Sequence, residues 1–258
     1  MGLSHWNQAD VTGLATINSA DPADIAWNGV GFDVVVPDYS AVISADSPVT
    51  YWKLDETSGT DAIDSSPEEY DGLYIAGFTL DQTPIIRSSS ACVYLNGTTG
   101  RVVDGGVTPN VPTGSEALTL EVWCRLTFTP VGSDCSPIYL GSTAPTEIGL
   151  HMLANANIRL FGGGGVYHDT VDNEIGINET HYLVVTWNGT DSLQLWIDAN
   201  KIYEGETKAN HTATYFEAGG IRGTNTLPWE GYLSDAAVYD YALTPQQITD
   251  HYNSGLIS

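Results

Sequence analysis

From about residue 46 onward, apolar and polar side chains alternate in short runs broken by turn residues. In the stretch LTLEVWCRL, Leu118, Leu120, Val122, Cys124 and Leu126 fall on one face. Thr119, Glu121, Trp123 and Arg125 fall on the other, which is the period of two that a strand imposes. Similar runs occupy 50–54, 91–95, 101–103, 136–140, 148–153, 157–161, 181–187, 193–197, 201–203 and 231–239. Those at 181–187 and 193–197 are apolar on both faces at their centres, so both faces must be covered. Asp71-Gly72, Asn96-Gly97, Asp104-Gly105 and Asn188-Gly189 punctuate the runs with turn chemistry. Many short strands so punctuated predict an antiparallel sandwich or barrel. A single helix is expected near 244–252, with Thr244 as N-cap, Pro245 at the first helical position and Gly255 past the end.

Residues 1–45 break this pattern. They carry Pro22, Pro37 and many small polar residues, with one strand-like piece at 31–36. So short and interrupted a segment cannot bury a core, and it is expected to be an extended arm packed on the sandwich or on another chain. The predicted organisation is therefore an arm at 1–45 and a β domain at 46–258. No basic segment followed by an apolar one opens the chain, so no secretory leader is expected. No apolar run approaches the length needed to span a bilayer.

Composition narrows the partners. Asp and Glu number 32 against 8 Lys and Arg, a formal charge of −24. Such a field repels phosphate backbones and anionic membranes, which argues against nucleic-acid and membrane binding. It fits either a solubilising acidic surface or a saline habitat. Cys92, Cys124 and Cys135 make no disulfide framework and no metal spacing. The Asn96, Asn178, Asn188 and Asn210 sequons read first as turn chemistry.

Catalytic patterns are missing. A glycosidase needs two acids facing across a sugar, and sandwich enzymes often carry three acids at alternate positions of one strand. That spacing does not occur, and the adjacent Asp55 and Glu56 point to opposite faces. No G-x-S-x-G or His-rich metal spacing is present, and the glycines of FGGGG (161–165) read as a hairpin connection. Calcium is chemically better served: DAIDSSPEEYDG offers Asp61, Asp64 and Asp71 with turn carbonyls over a short span. For stacking on a sugar ring, Trp229 in NTLPWEG and Tyr167 in GGGGVYHD are the candidates because both read as loop residues. Trp52, Trp123, Trp187 and Trp196 lie within strands and read as core.

Five ordered blocks, YWKLDETSGTDAIDSSPEEYDGLY, ACVYLNG, LTLEVWCRL, HYLVVTWNGTDSLQLWIDAN and GYLSDAAVYDYALTPQQI, resemble the laminin-G/concanavalin A-like lectin/glucanase superfamily. The variant they are most similar to is that of bacterial surface and phage structural proteins. The resemblance implies an all-β, two-sheet antiparallel jelly-roll sandwich with a short C-terminal helix, often with one calcium ion at its rim. The candidate calcium ligands are Asp64, Asp71 and Asp235; where the closing block of the family carries Asp-Glu, this chain has Ser234-Asp235, a departure that tells against a site using both acids.

The function this suggests is a non-catalytic structural protein of a virion, a capsid decoration or tail-associated protein on the particle surface. Its jelly roll would face outward and residues 1–45 would bind capsid or tail proteins, in a homo-oligomer. The alternative is a carbohydrate-binding or adhesion module, and a remote one is a glycoside hydrolase or lyase with acids gathered from distant strands.

Overall fold

In the computed structural model the chain divides into two compact units, Met1–Pro37 and Asp38–Ser258. The residues described are 26–27, 30–31, 37–104, 111–128, 134–141, 147–154, 157–162, 167–170, 175–205, 215–221 and 227–256. The first unit contributes β1 (Ala26–Trp27) and β2 (Val30–Gly31), an antiparallel pair. Of the strand-like piece expected at 31–36, only Gly31 lies among the described residues, as do few of the arm's others.

The second unit opens with helix α1 (Tyr39–Ala45) and β3 (Thr50–Trp52). Short strands follow: β4 (Asp61–Ala62), β5 (Gly72–Ile75), β6 (Phe78–Gln82), β7 (Cys92–Asn96) and β8 (Arg101–Asp104). Next come β9 (Leu118–Leu126), β10 (Cys135–Gly141), β11 (Glu147–Met152), β12 (Ile158–Gly162), β13 (Tyr167–Asp169) and β14 (Thr180–Trp187). The chain closes with β15 (Leu193–Ile197), β16 (Asn200–Gly205), β17 (Tyr215–Ala218), β18 (Glu230–Tyr239) and helix α2 (Pro245–Gly255).

These strands form two antiparallel sheets. The front sheet has the order β13-β12-β11-β10-β17-β8-β5-β4. The back sheet has the order β16-β15-β14-β9-β18-β7-β6, with β3 also pairing with β18. Leu118, Leu120, Val122, Cys124 and Leu126 of β9 enter the core between the sheets, as their alternation predicts, opposite Ile138, Leu140, Leu150, Leu160 and Phe216 of the front sheet. Turn chemistry also follows the sequence. Asn96 Oδ1 accepts from the backbone N–H groups of Thr98, Thr99 and Gly100, and Asn188 Oδ1 does the same for Thr190, Asp191 and Ser192.

Helix α1 falls inside the segment expected to be an arm, yet Tyr39 and Ile43 are buried within the larger unit. Asp38 caps it by accepting from Ser40 N at 2.9 Å. Helix α2 starts as anticipated, with a capping box in which Thr244 and Gln247 satisfy each other's backbone N–H groups. Together the helices roof the outer face of the back sheet, enclosing Trp123, Tyr182, Val184, Ala237 and Tyr239 in a second hydrophobic cluster.

That roof explains how Glu121 can sit on the outward face of β9 with no exposed surface. A buried carboxylate must be matched by donors or a positive charge. Tyr239 donates to its Oε1 at 2.7 Å, Tyr182 donates to its Oε2, and His251 Nδ1 of α2 lies 2.9 Å from Oε2. The other ring nitrogen of His251 lies 2.9 Å from Asp46 Oδ2, at the C-cap of α1. One imidazole thus joins both helices to the sheet. Burial would push the His251 pKa down, but the charges and hydrogen bonds of Glu121 and Asp46 outweigh it and raise it above its ordinary value.

A histidine raised in the folded state contributes stability that is complete below its unfolded pKa of about 6.5 and fades as pH rises through the folded value. The stability gap between wild type and His251→Gln, measured by urea denaturation, is therefore expected to be widest between about pH 5 and 6.5 and to narrow toward alkaline pH. Glu121→Ala, which strands the imidazole and two phenols, is expected to cost about 3–5 kcal/mol.

Candidate ligand-binding face

Backbone register places one residue from each front-sheet strand in a single row. It runs Tyr167, Phe161, Gly149, Tyr139, Glu217, Val103, Leu73, Asp61 from β13 to β4. Because the neighbouring positions Leu160, Leu150, Ile138, Ala218 and Val102 enter the core, this row projects from the outer face. Two shorter rows flank it: Asp169, Arg159 and His151 on one side, Glu147, Gly141 and Tyr215 on the other.

The face is graded in accessibility. At its centre Glu217 is 0 % and Glu147 1 % exposed, and Tyr139 donates from its hydroxyl to Glu147 Oε2 at 3.1 Å. Gly149 has no room for a side chain, since a Cβ would lie 2.7 Å from Ile138 O, and it leaves a notch between Phe161 and Tyr139. At the β13 edge Tyr167 is 46 % exposed. Its ring and that of Phe161 meet at right angles with centroids 4.7 Å apart, and the Phe161 and His151 ring centroids are 3.8 Å apart. Arg159 grips Asp169 with two hydrogen bonds of 2.6 and 2.8 Å while its guanidinium lies 5.6 Å from the Tyr167 ring. The Arg159 hydrogen bond holds the Asp169 carboxyl below its usual range. On the core side of the same edge, Tyr203 of β16 and His168 join the two sheets at 2.8 Å.

Tyr167, expected in a loop, therefore stands on an edge strand, propped and bracketed by charge. The glycines at 163–165 that were read as a hairpin connection lie outside the described residues. Phe161, Tyr139, Glu147, His151 and Glu217 escaped sequence reading because only strand order brings them into line. Glu217 was hidden further, since β17 is four residues long and carries no clear alternation.

Trp229 is placed quite differently from the loop position expected of it. Its side chain is 0 % exposed and belongs to the core between the sheets, so it has no surface to offer a sugar. Asp64, Asp71 and Asp235 do not converge either. Asp64 Oδ1 accepts from Tyr51 N and Ser66 N, and its Oδ2 from Ser66 Oγ and Tyr70 N, all within 2.8–2.9 Å. Asp71 Oδ1 in turn accepts from Asp64 N at 2.9 Å. Asp235 sits at the opposite end of Tyr51, accepting 2.5 Å hydrogen bonds from the Tyr51 and Ser234 hydroxyls. It occupies a bulge of β18 with a left-handed φ of 53°, and burial raises its pKa to about 7 despite those two donors. Carboxylates so engaged and so separated do not fit a shared calcium ion, and no group of three potential ligands occurs among the described residues. Asp55 and Glu56 are likewise spent on structure: Asp55 accepts from Ser90 Oγ at 2.9 Å, and Glu56 from Ile63 N at 2.7 Å and Tyr74 Oη at 2.5 Å.

A family model described as the concanavalin A-like lectin/glucanases superfamily matches residues 96–249, more than half of the chain, and the protein belongs to that superfamily. No curated protein sequence matches it. Among solved structures, domain 4 of an extracellular arabinanase from Geobacillus stearothermophilus, in complex with arabinotriose, is similar with a TM-score of 0.57 and 15% identity. That likeness covers 80% of this chain and 98% of the other. A Trypanosoma rangeli sialidase in complex with sialic acid is similar at TM-score 0.62 and 16% identity, covering 89% of this chain but 35% of that one. The botulinum neurotoxin serotype D binding domain is similar at 0.61 and 12%, covering 84% and 52%. At such identities the likeness is one of fold. No described helix is long and apolar enough to cross a membrane.

The two aromatic candidates should separate cleanly by denaturation. Trp229→Ala is expected to cost about 3–5 kcal/mol through the cavity it leaves, whereas Tyr167→Ala should stay within about 0.5 kcal/mol of wild type.

Proposed function

We propose that this protein is a non-catalytic carbohydrate-binding module that holds a glycan along the β12–β13 edge of its front sheet. The observation that carries this is the exposed Tyr167 ring, fixed by Phe161 and flanked by the Arg159–Asp169 pair. A rigid aromatic face suits the C–H face of a pyranose or furanose, and a paired guanidinium and carboxylate supply donors and acceptors for its hydroxyls. The similar structures solved in complex with arabinotriose and with sialic acid support a sugar as the class of ligand. The engagement of Asp55 and Glu56 in loop hydrogen bonds, and the burial of Glu147 and Glu217, support binding without hydrolysis.

A second reading adds where such a module works. The separation of Met1–Pro37 as its own unit favours an attachment segment, through which the sandwich would be displayed on a virion by capsid or tail proteins, as a homo-oligomer. The boundary that matters is then Pro37, because residues 39–45 form α1 and belong with the sandwich.

A glycan array followed by calorimetry tests the first reading: Tyr167→Ala should weaken the best ligand about tenfold while leaving the melting temperature unchanged. Silence across the array, or binding indifferent to Tyr167, would overturn it. For the second, deletion of residues 1–37 should leave a folded sandwich that no longer joins its particle, whereas deletion of 1–45 should also lower the melting temperature.

A further inference from the structure

The back sheet carries an aromatic row of its own, outside the cover of the helices. Across five strands the register aligns Thr180 of β14, Arg125 of β9, Tyr232 of β18, Tyr94 of β7 and Thr79 of β6. This row shares the outer face with Trp123, two residues along β9, where the last turn of α2 lies: Tyr252 stacks on Trp123 at 5.7 Å, and a Cβ at Gly255 would lie 2.5 Å from its ring. The roof thus covers Trp123. Arg125, Tyr232 and Tyr94 are partly exposed, and Thr79 is exposed.

The three central side chains form one ledge. The guanidinium of Arg125 lies over the Tyr232 ring, 4.4 Å from its centroid. Tyr94 meets Tyr232 with ring centroids 5.2 Å apart and planes at 60°. Among the described residues the side-chain polar atoms of Arg125, Tyr232 and Tyr94 make no hydrogen bond and no ion pair. Glu230, two residues along β18 on the same face, forms no ion pair with Arg125. In a chain with 32 acids and 8 basic residues, an arginine left unpaired on an aromatic support is notable. The front-sheet Arg159, by contrast, is spent on Asp169.

We infer that the Arg125–Tyr232–Tyr94 ledge is a second ligand site, specific for a saccharide unit that bears a carboxylate. A stacked guanidinium keeps its edge N–H donors free for the two oxygens of a carboxylate, a geometry an ammonium cannot supply. The carboxylate also supplies the counter-charge that Arg125 does not find among the described residues. The exposed part of Tyr94 offers a face for the sugar's C–H groups, and the Tyr94 and Tyr232 hydroxyls can serve its ring substituents. Uronic and sialic acids share this chemistry. The site lies on the opposite sheet from Tyr167 and is independent of the glycan reading made there.

Titration of the full chain with tri-galacturonate, its methyl ester, 3′-sialyllactose and lactose tests the inference. At least one acidic sugar should bind wild type and Tyr167→Ala equally. Arg125→Gln and Tyr94→Ala should each weaken that binding tenfold or more, and the uncharged counterpart should bind as poorly as Arg125→Gln does the acid. Arg125→Lys, which keeps charge and packing, should recover only part of the loss, and it serves as the test if Arg125→Gln fails to fold. Binding of neither acid, equal binding of acid and uncharged counterpart, or full affinity in Arg125→Lys would overturn the inference. Neutral-glycan binding that depends on Tyr167 would survive any of these outcomes, so failure of the two sites is distinguishable.

Discussion

The middle of the back sheet is buried on both faces, and the arrangement on its outer side there follows from the cost of placing a carboxylate among apolar groups. Glu121 lies in the middle of β9 with no exposed surface, where an unmatched charge would be prohibitive. Two phenols and an imidazole answer it, and they come from β14, β18 and α2. The imidazole then needs a partner for its second nitrogen, which Asp46 supplies from the end of α1. The two helices are therefore held by a directional polar node as well as by the apolar contacts of Tyr39, Ile43 and Ile248. Apolar contacts alone would permit a helix to slide over a flat sheet; hydrogen bonds to one carboxylate do not.

The position of this roof decides which residues of the outer face remain available. Moving along β9, Glu121 and Trp123 are covered and Arg125 is not. On β18 the same transition separates Tyr239 and Ser234 from Tyr232. The front sheet shows the comparable gradient crosswise, from buried Glu217 and Tyr139 at the centre to exposed Tyr167 at the edge. In both sheets the accessible aromatic is braced by another ring, which lowers the entropy lost when a ligand settles on it.

The sandwich was legible because its strands are long enough for the period of two to show, as in β9, β14 and β18, and because Asn-Gly and Asp-Gly turns mark their ends. What escaped was short or decided by tertiary contact. Helix α1, YSAVISA, is only seven residues long and sets its two alanines among Tyr, Ser, Val and Ile of lower helix propensity, so burial of Tyr39 and Ile43 with the Asp38 cap makes it helical. Strands β5 and β17 are only four residues long, and the pairing of the five-residue β6 with β7 is irregular between Thr79 and Gln82, so none offers a long alternating run. Trp229 looked like a loop residue because Pro228 precedes it and Gly231 follows, yet its ring turns into the core just before β18 begins. Neither aromatic row could be read from the chain, since each joins residues far apart in sequence through strand order.

The acidic composition constrains recognition further. With a formal charge of −24, the long-range field works against any anionic ligand. Salt limits that field to about 10 Å at 0.1 M, however, whereas the Arg125 guanidinium and its supporting ring are 4.4 Å apart and act at contact distance. An acidic sugar would thus be selected after encounter, by the fork of one arginine and the faces of two tyrosines. A neutral sugar on Tyr167 would feel no net repulsion at any distance. The two faces of one sandwich can therefore differ in ligand class although they share the same global charge, because at each the discriminating contacts lie well inside the screening length.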